Sequence, residues 1–83
     1  SSLYNQIKKV KSILDKYESL ISLSKQLTEE EFKLFNQGKR NSMTSVLNAI
    51  INEQMAFYDY YETQHQLLML NVQILDFLDL LNS

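Results

Sequence analysis

Apolar residues recur every third or fourth position through most of the chain, the spacing that lines one face of an α-helix. From the start they fall at Leu3, Ile7, Val10, Leu14, Tyr17 and Ile21, alternating steps of four and three, which predicts a helix with a coiled-coil seam. A second stretch, Met43 to Tyr61, sets Met43, Leu47, Ile50, Phe57 and Tyr61 on one face and carries no charge between Met43 and Asn52. This seam continues through Leu68, Leu75 and Leu78, with Gln54, Gln64 and Asn71 at the intervening positions, where polar residues cost stability but set register. Leu67, Leu70, Ile74, Phe77 and Leu81 form another stripe on the same segment. Two apolar faces predict two neighbours for the last fifteen or so residues.

Between the two patterns the chain offers two places to turn. Thr28 followed by Glu29, Glu30 and Glu31 has the form of a capping box, which would start a second helix after a turn near residues 22–28. Gly38-Lys39-Arg40-Asn41-Ser42 offers the other: Gly38 can end a helix with φ > 0, and Asn41 or Ser42 can cap the next. The first choice gives one short and one very long helix running through Gly38. The second gives a hairpin of two nearly equal helices turning at 38–41, and local turn chemistry favours it.

Composition supports long helices with few turns: the 83 residues include no Pro, one Gly and 45% hydrophobic residues. The expected fold is all-α, long antiparallel helices forming a hairpin or part of a three-helix coiled-coil bundle. Residues 1–83 then make a single helical domain or a fragment of a larger one, completed by homo- or hetero-dimerisation because two thin helices leave apolar stripes uncovered. The chain does not begin with Met and shows no signal peptide, so it is expected to be an excised piece of a longer protein. No uncharged apolar run is long enough to suggest a membrane span.

Charge is strongly divided. Residues 1–40 hold all eight basic side chains against five acids, and residues 41–83 hold five acids and no Lys or Arg. Either the basic half meets an anionic partner such as a lipid surface, or the two helices attract each other through their opposite charge.

Chemistry-bearing patterns are sparse. Glu62 and His65, the single histidine, have the Glu-x-x-His spacing of four-helix di-iron sites, and a turn at 38–41 brings Glu18 level with them. The motif is two residues long, so a surface pair explains it better and no metal site is assigned. The aromatic cluster Phe57, Tyr58, Tyr60 and Tyr61 lies in the half without basic residues, which argues for packing over base stacking and against nucleic acid as a partner. No Gly-x-Ser-x-Gly elbow, phosphate loop or cysteine is present. The chain is therefore expected to be non-enzymatic, without cofactor or small-molecule substrate.

Glu31, Phe35, Lys39, Ser45-Val46 and Gln54-Met55-Ala56-Phe57-Tyr58 resemble the last long helix of BAR domains of the sorting nexin type. Ile7-Lys8-Lys9-Val10-Lys11 with Asp15-Lys16 looks like the basic helix before it. The resemblance covers about half the chain. It implies an antiparallel, crescent-shaped dimer, cytoplasmic and peripheral on membranes, that binds or shapes anionic membrane in trafficking. Lys8, Lys9, Lys11, Lys39 and Arg40 would face lipid, while Leu47, Ile50, Phe57, Tyr61, Leu68 and Leu75 would form the packing and dimer seam. Phe35-Asn36-Gln37-Gly38 with Val46-Leu47-Asn48-Ala49 and Ala56 is similar to the hairpin tip of TolC-type outer-membrane efflux channels, which implies docking on an adaptor protein in the periplasm. A generic coiled-coil scaffold is the third reading.

Overall fold

The computed structural model describes residues 2–39 and 42–82 and contains two helices, α1 (Ser2–Asn36) and α2 (Met43–Asn82). They pack antiparallel as a rod measuring 68 × 15 × 13 Å. The radius of gyration is 19.1 Å, where a compact chain of this length has about 12 Å. The all-α hairpin expected from the periodicity is the fold.

The turn falls at the glycine. The N–H of Lys39 donates to the Leu34 carbonyl (2.9 Å) and that of Gly38 to the Phe35 carbonyl (3.1 Å), the pair of bonds that closes a helix in a Schellman motif. Gly38 takes φ 68°, a conformation that costs an L-residue about 1–2 kcal/mol. On the far side, Ser42 caps α2: its Oγ accepts from the Ser45 N–H (3.2 Å), and its carbonyl accepts the first helical bond from Val46 (3.2 Å). Asn41, the other cap candidate, lies outside the described residues, as does Arg40. A Cβ on Gly38 would meet nothing within 4 Å, so Gly38→Ala should strain the backbone alone. Thermal unfolding should show a loss of about 1 kcal/mol, and Gly38→Asn, which tolerates this conformation better, should lose less.

The capping box at Thr28 does not form, because α1 runs unbroken from Ser2 to Asn36. Thr28 is buried in the interface instead. Its hydroxyl lies 3.0 Å from the Ser24 carbonyl and 3.3 Å from the Ala49 carbonyl of α2. A side chain reaching the opposing backbone requires the two helices to approach closely here. Small residues permit that approach: Ser24 and Thr28 on α1, and Val46 and Ala56 on α2, are all buried.

The α1 seam follows the expected heptad and then extends it in phase, through Leu3, Ile7, Val10, Leu14, Tyr17, Ile21, Ser24, Thr28 and Glu31, each buried or half-buried. The α2 seam differs from expectation. It follows Val46, Ala49, Glu53, Ala56, Tyr60, Thr63, Leu67, Leu70 and Ile74, so the second stripe, Leu67 to Ile74, is the one that packs. Val46 is fully buried and Ala56 is 3% exposed, whereas Leu47, Tyr61, Leu68 and Leu75 are 50–62% exposed. These four, with half-buried Ile50 and Phe57, form a flank outside the hairpin's own seam. Bulk alone is a poor guide to the seam where helix axes come close, because a large side chain would hold them apart.

Candidate functional site: an uncovered helical surface

Thr28 opposite Ala49 and Tyr60 bonded to Glu18 fix the register, and the register decides what the outer surface presents. In an antiparallel pair, residues that follow seam positions on both helices share one side of the hairpin, and residues that precede them share the other. The first side is marked by the ammonium of Lys25, which sits 5.2 Å from the Phe57 ring centroid. The second is marked by a cleft in which Leu27 of α1 meets Ser45 and Asn52 of α2.

The continuous apolar stripe of α2 lies on the first side, while exposed Met55 and Met69 precede seam residues and lie on the second. Met43, Leu47, Tyr61, Leu68, Leu75 and Leu78 are exposed and Ile50 and Phe57 half-buried, and the Phe57 and Tyr61 rings stack with centroids 6.3 Å apart. No charged residue interrupts this stripe between Met43 and Leu78; Gln54, Gln64 and Asn71 are its polar positions. The apolar stripe of α1, Ile13, Leu20, Leu27 and Leu34, lies on the second side, with Leu20 and Leu27 exposed, while exposed Tyr4 and Phe32 lie on the first. The two continuous apolar stripes therefore lie on opposite sides of the hairpin, one on each helix.

The basic candidates do not converge. Lys8, Lys9 and Lys11 are exposed near the open end of the rod and Lys39 is exposed at the turn, about 40 Å away along α1 at 1.5 Å per residue. Glu31 and Phe35 lie on α1, while Ser45 to Tyr58 lie on α2, so the residues that resemble a single BAR helix are divided across the turn. Each of the other two clusters has found local partners. Glu18 comes level with Tyr60, short of the Glu62 and His65 pair expected opposite it, and accepts the Tyr60 hydroxyl at 3.1 Å. Glu62 accepts the Tyr58 hydroxyl at 2.9 Å. The adjacent carboxylate raises each phenol above its ordinary pKa of 10.0, chiefly by accepting its proton in a hydrogen bond. His65 is exposed beside Tyr58, Tyr61 and Glu62 in a shallow cleft on α2. Among the described residues no group of three or more His, Cys, Asp or Glu side chains is placed to hold a metal ion, and no helix is long and apolar enough to cross a membrane.

Reading by residue size missed that the α2 seam and the α2 flank are distinct. The missing signal was the phase of Leu67, Leu70 and Ile74, which extends backward without a break through Thr63, Tyr60, Ala56, Glu53, Ala49 and Val46. Comparison of the chain with protein-family models, with curated proteins and with solved structures finds no match.

Proposed function

We propose that the chain is a non-enzymatic helical assembly module that works by pairing its exposed apolar flanks with other helices. The supporting observation is surface area. The hairpin exposes 6524 Å², where a compact monomer of its mass exposes about 5,200 Å². Leu47, Tyr61, Leu68 and Leu75 of α2 and Leu27 of α1 are each half exposed or more, and contiguous exposed apolar surface marks interaction sites in soluble proteins. Oxidative footprinting tests the reading by comparing the protein in its own cells with purified protein at nanomolar dilution. Tyr61 and Leu68 should be protected several-fold in the cell, and equal reactivity in the two settings overturns the proposal.

A second reading, contact with an anionic membrane surface, is supported by the exposure of Lys8, Lys9 and Lys11 on a stretch, residues 2–25, with five basic and two acidic side chains. Each basic residue near such a surface contributes about 1 kcal/mol, screened by salt. Co-sedimentation with liposomes should rise with the anionic lipid fraction. It should fall at least about 100-fold when the three lysines are changed to Glu, given those magnitudes; binding indifferent to lipid charge rules the reading out.

A further inference from the structure

We infer that the partner helices are supplied by further copies of this chain, joined head to tail: the α1 flank of one copy packs on the α2 flank of the next. This rests on the assembly reading and specifies its partner.

Placement of the flanks is the first argument. They lie on opposite sides of the hairpin, so a single two-fold partner cannot cover both. One heterologous contact, repeated, covers both.

Register is the second argument. Within one hairpin, Thr28 is level with Ala49, and the same levels apply to a neighbour standing alongside in the same orientation. Leu20 of the second copy then comes level with Phe57, Leu27 with Ile50 and Leu34 with Met43 with no axial shift, while Ile13 comes level with Gln64.

Charge is the third argument. Each α2 carries five acids and no Lys or Arg, so two of them side by side repel through net charge. The head-to-tail contact instead sets α2 beside a neighbour's α1, whose flank side carries Lys9 and Lys16 and, within residues 2–25, no acid. That arrangement repeats between copies the attraction that operates within each hairpin.

The test uses two variants, each blocking one flank. Leu27 and Leu47 are both half exposed, so Leu27→Glu and Leu47→Glu leave the hairpin seam untouched, which far-UV circular dichroism checks. Unmodified protein should form species larger than a dimer that grow with concentration in sedimentation velocity. Each variant alone should be monomeric, its self-association weakened at least about 100-fold by a charge forced into an apolar contact. Mixed, the two retain one good flank each and should form a 1:1 heterodimer that grows no further. If Leu27→Glu alone still dimerises, α2 pairs with α2 and the head-to-tail contact is wrong. A monomer at high micromolar concentration also overturns it, while protection of Tyr61 in the cell would leave the broader assembly reading standing. If either variant loses helicity, a measurement without flank changes decides. The chain has no cysteine, so copies labelled at Lys16→Cys can be mixed with copies labelled at Tyr58→Cys. Energy transfer between Lys16 and Tyr58 positions exceeding that between two Tyr58 positions supports the contact, and the reverse order refutes it.

Discussion

Ala56→Asp should open the hairpin at neutral pH. Ala56 is 3% exposed and comes level with Ile21 in the register set by Thr28 and Ala49, where the helices lie close together. A carboxylate there would have no basic residue on its own helix, and Lys25, the nearby cation of α1, is held over the Phe57 ring. An uncompensated buried charge costs about 3–5 kcal/mol, a large fraction of the roughly 4–12 kcal/mol expected for a chain of this length. Burial favours the neutral acid and raises its pKa in the folded state. The folded protein then holds a proton that the unfolded chain releases above about pH 4, so the variant should lose stability as pH rises and recover part of it on acidification. Urea unfolding at pH 7 and pH 4.5 measures both effects, with the exposed substitution Asn48→Asp as the control expected to change little. A variant as stable as the parent at pH 7 would mean that the helices do not close at this level.

Helical character and the lower half of the hairpin were legible because apolar seam residues there are large. Leu3, Ile7, Val10, Leu14, Tyr17 and Ile21 lie in the seam as their spacing implies, opposite Leu67, Leu70 and Ile74. Nearer the turn the same heptad is written in Ser24, Thr28, Ala49 and Ala56, residues that resemble a loop or cap when judged by polarity and size. Thr28 illustrates the difficulty: its hydroxyl can cap a helix or bond to the carbonyl four residues back, and only the close approach of α2 favours the second. Meanwhile the large residues Leu47, Tyr61, Leu68 and Leu75 drew the seam onto the wrong face of α2. Their size is better suited to a neighbour beyond the hairpin, where no close axial approach is imposed.

The turn was legible through its chemistry, because Gly38 and Ser42 each satisfy a specific backbone requirement that few residues meet. The flanking surface was legible in composition yet not in placement. Whether two apolar stripes fall on the same side of a hairpin depends on whether each precedes or follows its seam, which cannot be read until both seams are known. Once they are, the stripe on α1 precedes its seam and the stripe on α2 follows its own. The opposed flanks from which the assembly is argued come from that single difference in phase.

Ser24→Pro should separate the two turn assignments by a wide margin. If the chain turned at residues 22–28, proline there would be tolerated or even favourable. In the structure Ser24 lies inside a continuous α1, is buried against α2, and accepts the Thr28 hydroxyl on its carbonyl at 3.0 Å. Proline at this position removes a helical hydrogen bond, and its ring collides with the carbonyl one turn earlier, a combined cost of about 3 kcal/mol or more. The kink would also swing the first twenty residues of α1 away from Tyr60, Thr63 and Leu67, so the Tyr60 to Glu18 hydrogen bond should break along with the local helix. For a domain of this size the expected fall in melting temperature is about 12 °C or more, taking about 4–8 °C per kcal/mol. Amide exchange should accelerate on both sides of residue 24, and in α2 from about residue 49 onward. Ser24→Ala, which keeps the helix and the small volume at the close approach, should retain the parent's melting temperature to within a few degrees. If the proline variant melts with the alanine variant, α1 is not continuous through residue 24 and the register built on Thr28 and Ala49 fails with it.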